Sequence, residues 1–162
     1  MRIVTVDPHS CVACRNCEYA CAFRHTGDFD RKDSRIRVNF YPEAVVCIPW
    51  TCVHCSDAWC MEICPADAIS RNEETGAVEI DSRRCAGCKM CMLACPSGNI
   101  HFNPRDHISE KCDLCGGDPN CVKFCTSGAL NFEEEEEAYT SSREAFDSRI
   151  KRLLAEERRK NG

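Results

Sequence analysis

Residues 85 to 96 read Cys85-Ala86-Gly87-Cys88-Lys89-Met90-Cys91-Met92-Leu93-Ala94-Cys95-Pro96, a C-x₂-C-x₂-C-x₃-C-P spacing. Three-residue steps bring three thiols around one object inside a single loop, and the fourth leaves on the turn that follows. Gly87 keeps a Cβ out of the way where the backbone passes close to that object. Pro96 stops the turn and fixes the exit direction. The chain holds three more such sets. Cys11, Cys14, Cys17 and Cys21 repeat the spacing, whereas Cys52, Cys55, Cys60, Cys64 and Cys112, Cys115, Cys121, Cys125 have a wider middle gap, the last filled by Gly116-Gly117-Asp118-Pro119. Of 17 cysteines in 162 residues, Cys47 alone falls outside the sets.

Three chemistries use cysteine at this density. Disulfides want an oxidising compartment and an even count. Met1-Arg2-Ile3-Val4-Thr5-Val6-Asp7 is no signal peptide, and the count is odd. Zinc usually takes CxxC pairs separated by a longer loop. Cubane iron–sulfur clusters need consecutive three-residue steps, with the fourth cysteine of a run completing a second cluster. The sets therefore read as ligands of four 4Fe–4S clusters, with Cys47 a buried small hydrophobe and no ligand. Leu, Ile, Val and Phe together fall under the roughly 20% expected of a chain with a good aliphatic core, so metal must help hold the fold. A net charge of −5 argues against nucleic acid, and no apolar run approaches a membrane span.

The segments between the sets alternate like strands. Arg2–Asp7 precedes the first set. Arg35–Phe40 and Val45–Ile48, joined at Tyr41-Pro42-Glu43, form a hairpin insertion. Ala68–Arg71 and Ala77–Asp81 form another, and Asn99–Asn103 is a strand after the third set. Cys64-Pro65-Ala66-Asp67-Ala68-Ile69, Cys95-Pro96-Ser97-Gly98-Asn99-Ile100 and Cys125-Thr126-Ser127-Gly128-Ala129-Leu130 share one exit pattern, an internal repeat. Ala22 and Thr126 replace the expected Pro after Cys21 and Cys125, so the outer exits should be fixed less tightly. The fold class is α+β, with duplicated two-cluster units, β-hairpin insertions and a C-terminal helix.

The four motifs, with Cys52-Val53-His54-Cys55 and Cys112-Asp113-Leu114-Cys115 as specific marks, resemble the four-cluster ferredoxin-type electron-transfer subunits of the DMSO-reductase iron–sulfur class. The resemblance covers residues 1–132. It implies a non-catalytic, bacterial-ferredoxin-like body carrying single electrons for a partner. It further implies that motif 1 pairs with motif 4 and motif 2 with motif 3. The ligand sets would then be Cys11, Cys14, Cys17 with Cys125; Cys112, Cys115, Cys121 with Cys21; Cys52, Cys55, Cys60 with Cys95; and Cys85, Cys88, Cys91 with Cys64. Sequential pairing is the alternative.

The residues agree with a carrier. A cluster with four cysteine ligands has no open coordination position, and no phosphate loop or dinucleotide fingerprint is present. His9, His25, His54, His101 and His107 lack metal-ligand spacing and read as structural or exposed. Arg15, Lys89, Lys111 and Lys123 lie in or beside ligand loops, where positive charge raises a cluster's potential or is ordinary surface charge. Residues 133–162 read as an acidic linker, Glu133–Glu137, and a docking helix. That helix opens on a Ser141/Glu144 capping box and carries Phe146, Ile150, Leu153 and Leu154 on one stripe. The expected protein is a cytoplasmic wire for a catalytic oxidoreductase, with a tungsten aldehyde oxidoreductase preferred. The runner-up partner is a hydrogenase or a formate dehydrogenase, so the catalytic subunit is expected to be a tungsten or molybdenum enzyme or a hydrogenase. A flavin subunit or soluble ferredoxin is the second carrier, and the helix could also join two copies. From another class, the alternative is an iron–sulfur redox sensor or maturation protein.

Overall fold

The computed structural model describes residues 1–137, 139, 140 and 151. Four two-stranded antiparallel sheets are placed among them, with the helix α1 (Asn16–Thr26), three helices of one turn and two 3₁₀ turns, Arg31–Asp33 and Leu114–Gly116. Strand β1 (Arg2–Val6) pairs with β8 (Leu130–Glu134), so the two ends of the body are stitched to each other, with Val4 opposite Phe132. Asp7 N–H donates to the Ala129 carbonyl at 2.8 Å and Glu135 N–H to the Met1 carbonyl at 2.7 Å, which extends the ladder at both ends. Three local hairpins lie between: β2 (Arg37–Tyr41) with β3 (Val46–Trp50), β4 (Ile69–Arg71) with β5 (Val78–Ile80), and β6 (Ile100–Asn103) with β7 (Ile108–Lys111).

Both inner hairpins turn by the same device. Asn72 Oδ1 accepts from Glu74 and Thr75 N–H, and Asn103 Oδ1 accepts from Arg105 and Asp106 N–H. Each asparagine's Nδ2 then reaches the glutamate seven residues on, Asn72 to Glu79 at 3.4 Å and Asn103 to Glu110 at 3.2 Å. An Asx turn of this kind fixes hairpin register from the side chain. The second hairpin is absent from the sequence reading, which has only β6. β7 is too short and polar to stand out alone, and the Asn103/Glu110 spacing was its signal.

The helices carry cysteines. α1 (Asn16–Thr26) holds Cys17 and Cys21, α2 (Trp59–Glu62) Cys60, α3 (Met90–Ala94) Cys91 and α4 (Asn120–Lys123) Cys121. α1 packs on α4, and α2 on α3. Two cores result. One gathers Val4, Cys17, Cys21, Ile36, Val38, Leu114, Cys121 and Leu130; the other Ala58, Ile69, Val78, Cys91 and Ile100. The β2–β3 insertion covers the first core, with Ile36 and Val38 buried.

Two expectations need correcting. Cys125 leaves by the same turn as the inner sets: Asp67, Gly98 and Gly128 N–H donate to the Cys64, Cys95 and Cys125 carbonyls at 3.1, 3.2 and 3.2 Å. All three donors have positive φ, so the turn does not require proline. Cys21 has no such exit, because α1 runs on to Gly27. The acidic run also begins inside the fold, with Glu133 and Glu134 in β8. Phe146, Ile150, Leu153 and Leu154 lie outside the described residues, and with them the docking helix.

Candidate functional site

The four cysteine loops share one backbone. The residue before the second cysteine of each set is left-handed: Ala13 (φ 57°), His54 (49°), Gly87 (66°) and Leu114 (53°). Arg15 and Lys89, following the second cysteines of sets one and three, repeat the conformation. Non-glycine residues pay for a left-handed φ and persist there only where the surroundings over-determine them. Gly87 has a second reason to be glycine, since a Cβ there would lie 2.3 Å from the His107 carbonyl oxygen at the β6–β7 turn.

These loops aim N–H groups at sulfur. His54 and Leu114 N–H donate to Cys52 and Cys112 Sγ, each at 3.4 Å. Ala68 and Asn99 N–H donate to Cys64 and Cys95 Sγ at 3.3 and 3.4 Å, and Arg35 N–H to Cys21 Sγ at 3.2 Å. Ser109 N–H reaches Cys85 Sγ at 3.5 Å. Such bonds favour thiolate over thiol and are one of the means by which a protein tunes iron–sulfur potentials.

The thiols collect in two places. Cys64, Cys85, Cys88 and Cys91 line one small cavity. Cys60 and Cys95 pack on the same core, and the thiols nearest Cys60 electrostatically are Cys52 and Cys95. Across the molecule Cys17 feels Cys125 and Cys14, while Cys115 feels Cys21 and Cys121 feels Cys112, Cys21, Cys115 and Cys17. Cys11 and Cys55 lie half-buried in their own loops. All 17 cysteines are free, and Cys47 packs on the edge of the first core, opposite Phe40.

Burial makes these thiols poor acids. It pushes Cys17 up to about 12, helped by the Glu18 charge, and Cys112 up to about 12, with the Thr51 hydroxyl and Leu114 N–H working the other way. Cys60, Cys91, Cys115 and Cys121 are raised by the same cause. A thiolate at such depth needs a cation beside it. Convergent, desolvated thiols with N–H donors and strained loops fit iron–sulfur clusters.

Charged side chains differ between the loops. Arg15 pairs with Glu18, Lys123 with Asp118, and Lys89 Nζ lies 3.9 Å over the Phe102 ring. Lys111 is buried at 3% exposure, and its Nζ donates to the Val78 carbonyl. His25, Asp113 and Cys115 bring their ligand atoms within 4.8 Å of one another. Burial, then the Arg35 charge, lowers His25 to about 4, and Asp113 opposes them. His54 is fully buried, and burial lowers it to about 3. Reading the five histidines as structural or exposed did not distinguish this one, because nothing local marks its depth.

Comparison with known proteins gives the same picture. The 4Fe-4S dicluster domain family matches residues 43–135. The chain is 41% identical to "Aliphatic sulfonate oxidoreductase, polyferredoxin-like subunit" of Pyrococcus furiosus, over 75% of this chain and 70% of that one. It is 31% identical to "Thiosulfate reductase electron transfer subunit PhsB" of Salmonella typhi, over 86% and 81%. To "Formate hydrogenlyase subunit 2" of Escherichia coli it is 32% identical, over 80% of each. The chain spans 21% of "Putative oxidoreductase UacF" and 87% of "Putative electron transport protein YsaA", both of Escherichia coli.

Proposed function

The chain belongs to the 4Fe-4S dicluster domain family and holds multiple 4Fe–4S clusters, and we propose that it is a four-cluster electron wire within an oxidoreductase complex. When bound, such clusters take up and release single electrons. The carrying observation is that ten of the sixteen thiols pack on two cores, Cys11, Cys17, Cys21, Cys112, Cys121 and Cys125 of motifs 1 and 4 on one and Cys60, Cys64, Cys91 and Cys95 of motifs 2 and 3 on the other. That grouping supports cross-pairing over sequential pairing. It also supports a body made of two two-cluster units, and the matching Asn72/Glu79 and Asn103/Glu110 hairpins, one after motif 2 and one after motif 3, support a repeated motif-and-hairpin segment within the second unit.

The thiols also suggest an order. Cys14 and Cys88 are exposed, whereas Cys52 is buried and Cys112 half-buried, and Cys52 is among the charges felt at Cys112. Cys11, Cys14 and Cys17 with Cys125 then hold one end of the wire, and Cys85, Cys88 and Cys91 with Cys64 hold the other. Cys112, Cys115 and Cys121 with Cys21, and Cys52, Cys55 and Cys60 with Cys95, meet in the middle. The chain has no catalysis of its own in this reading. Its partner is a catalytic subunit, with a tungsten aldehyde oxidoreductase preferred; the similarity to a P. furiosus oxidoreductase subunit supports a partner of that general kind. A hydrogenase or formate dehydrogenase is the runner-up, supported by the similarity to a formate hydrogenlyase subunit. No helix among the described residues is long and apolar enough to cross a membrane. Seventeen free thiols suit a reducing compartment such as the cytoplasm.

The test is anaerobic purification of the native chain with its partners. About sixteen irons per chain, rapid reversible reduction, and co-purification with an oxidoreductase are expected. A single labile cluster coupled to regulatory binding would replace the wire with a sensor.

A further inference from the structure

His54 and Lys111 lie together at the junction of the two halves. His54 is 0% exposed, between Cys52 and Cys55, and its Nδ1 accepts the Val78 N–H at 2.9 Å. A neutral imidazole that accepts at Nδ1 carries its proton on Nε2. That Nε2 is buried with no hydrogen-bond partner among the described residues. Lys111 grips the other side of the same residue, donating to the Val78 carbonyl. Ser109 and Lys111 are the buried positions of β7 and so share a face, and Ser109 lines the small cavity with Cys64, Cys85, Cys88 and Cys91, which puts that face toward motifs 2 and 3. Cys112 follows on the opposite side, in the first core.

Lys111 differs from the other cations near the loops. Arg15, Arg35 and Lys123 each meet a carboxylate, but among the described residues no carboxylate forms an ion pair with Lys111. Its positive charge acts on Cys60 and on His54, and also on Glu79, whose side chain bonds Asn72 and forms no ion pair with Lys111. A buried ammonium needs a negative neighbour, and a buried N–H needs an acceptor. Both groups adjoin the ligand set of Cys52, Cys55, Cys60 and Cys95.

We propose that His54 and Lys111 are positioning residues that raise the reduction potential of the cluster held by Cys52, Cys55, Cys60 and Cys95. His54 does so by donating its Nε2–H to a cluster sulfide, and Lys111 by placing an unpaired positive charge beside Cys60. The inference rests on the four-cluster reading above. Reduction adds one electron, supplied by a low-potential one-electron carrier; His54 and Lys111 keep their protons and no bond is made or broken. The electron is thereby held at the middle of the wire rather than at an exposed end.

The experiment is an EPR-monitored potentiometric titration of the full chain with viologen mediators, after iron and sulfide assay. In Lys111→Met, one midpoint should fall by at least tenfold in its reduction constant, which is 59 mV for one electron. Lys111→Arg should stay within about threefold of the parent, and His54→Leu should lower the same midpoint by a smaller factor. The signal that moves should be among those lost in Cys95→Ser. Equal movement of all midpoints, or none, in fully loaded variants overturns the proposal. Iron well below sixteen in the parent chain would instead overturn the four-cluster reading. If Lys111→Met or His54→Leu fails to load, the parent chain still decides the His54 part. Selective ¹⁵N-histidine labelling and pulsed EPR of the reduced protein should show an imidazole coupling that persists in His25→Gln. Its absence refutes that part, and a midpoint unchanged in Lys111→Gln refutes the other.

Discussion

The two halves of this molecule present the same ligand spacing to different surroundings. Around motifs 1 and 4 the buried charge is a carboxylate. Glu18, 2% exposed, accepts from Val38 N–H at 2.8 Å and from Arg15 and Arg31 at 3.3 and 3.2 Å. Around motifs 2 and 3 it is cationic. The buried cation is Lys111, 3% exposed, and half-buried Arg71 spreads onto the His54, Gly76, Cys55 and Ser56 carbonyls at 3.3, 2.9, 2.5 and 3.1 Å. A carboxylate penalises added negative charge at Cys17, and an ammonium favours it at Cys60. Equal motifs therefore need not mean equal sites; the charge buried beside them makes the difference.

Removing the metal should change both halves most. The cores are small and built partly of thiols, so iron binding supplies much of the folding free energy. Anaerobic chelation should collapse the circular dichroism spectrum, and a native-like apo spectrum would show that the cores suffice alone. Single ligand changes should then separate the halves. Cys125→Ser should remove or convert the cluster of Cys11, Cys14 and Cys17, at a cost of about one to four irons, and leave the Cys52 set intact. Cys95→Ser should do the reverse. Mössbauer or EPR signatures that couple Cys125 to Cys85 would break the comparison at its root.

The buried Glu18 and the half-buried Arg71 come next. Arg71→Ala should destabilise the loaded chain by about 1.5–3 kcal/mol, the range for hydrogen bonds to a charged group. Glu18→Gln should cost about 1–3 kcal/mol. Amide exchange should locate the first loss around β4–β5 and the second around α1 and β2. Changes spread evenly over the chain would mean that the halves unfold as one. A smaller effect is expected from removing the tail. A cut after Phe132 would shorten β8, where Glu133 Oε2 accepts from Thr5 and Glu134 pairs with the Met1 amino group, so the cut belongs after Glu137. Visible and EPR spectra should be unchanged while co-purification or self-association weakens. Unchanged assembly would retire the docking role. The smallest effect is expected at Cys47→Ala, with full iron and a cost of about 1 kcal/mol or less. Loss of a cluster's worth of iron would show that Cys47 is a ligand.

Much was legible along the chain because the chemistry is local. Steps of three between cysteines define a loop around a cluster whatever surrounds it, and the exit repeat and the first two hairpins follow from turn residues and alternation. β7 escaped because Ile108–Lys111 has few apolar residues, though the Asn-to-Glu interval of seven repeats on the page. α1 ran longer than the short turn expected, since Ala22 continues the helix where other sets have Pro or Thr.

The sequence by itself determined the cysteine sets, the strand segments and the scarcity of aliphatic core. Tertiary structure alone decided that β1 meets β8, that motifs 1 and 4 share one core and motifs 2 and 3 another, and that His54 and Lys111 are buried where they meet. Spacing is a property of neighbours in the chain. Depth depends on residues dozens of positions away, such as Val78 beside His54 and Thr51 beside Cys112, and no local pattern encodes it.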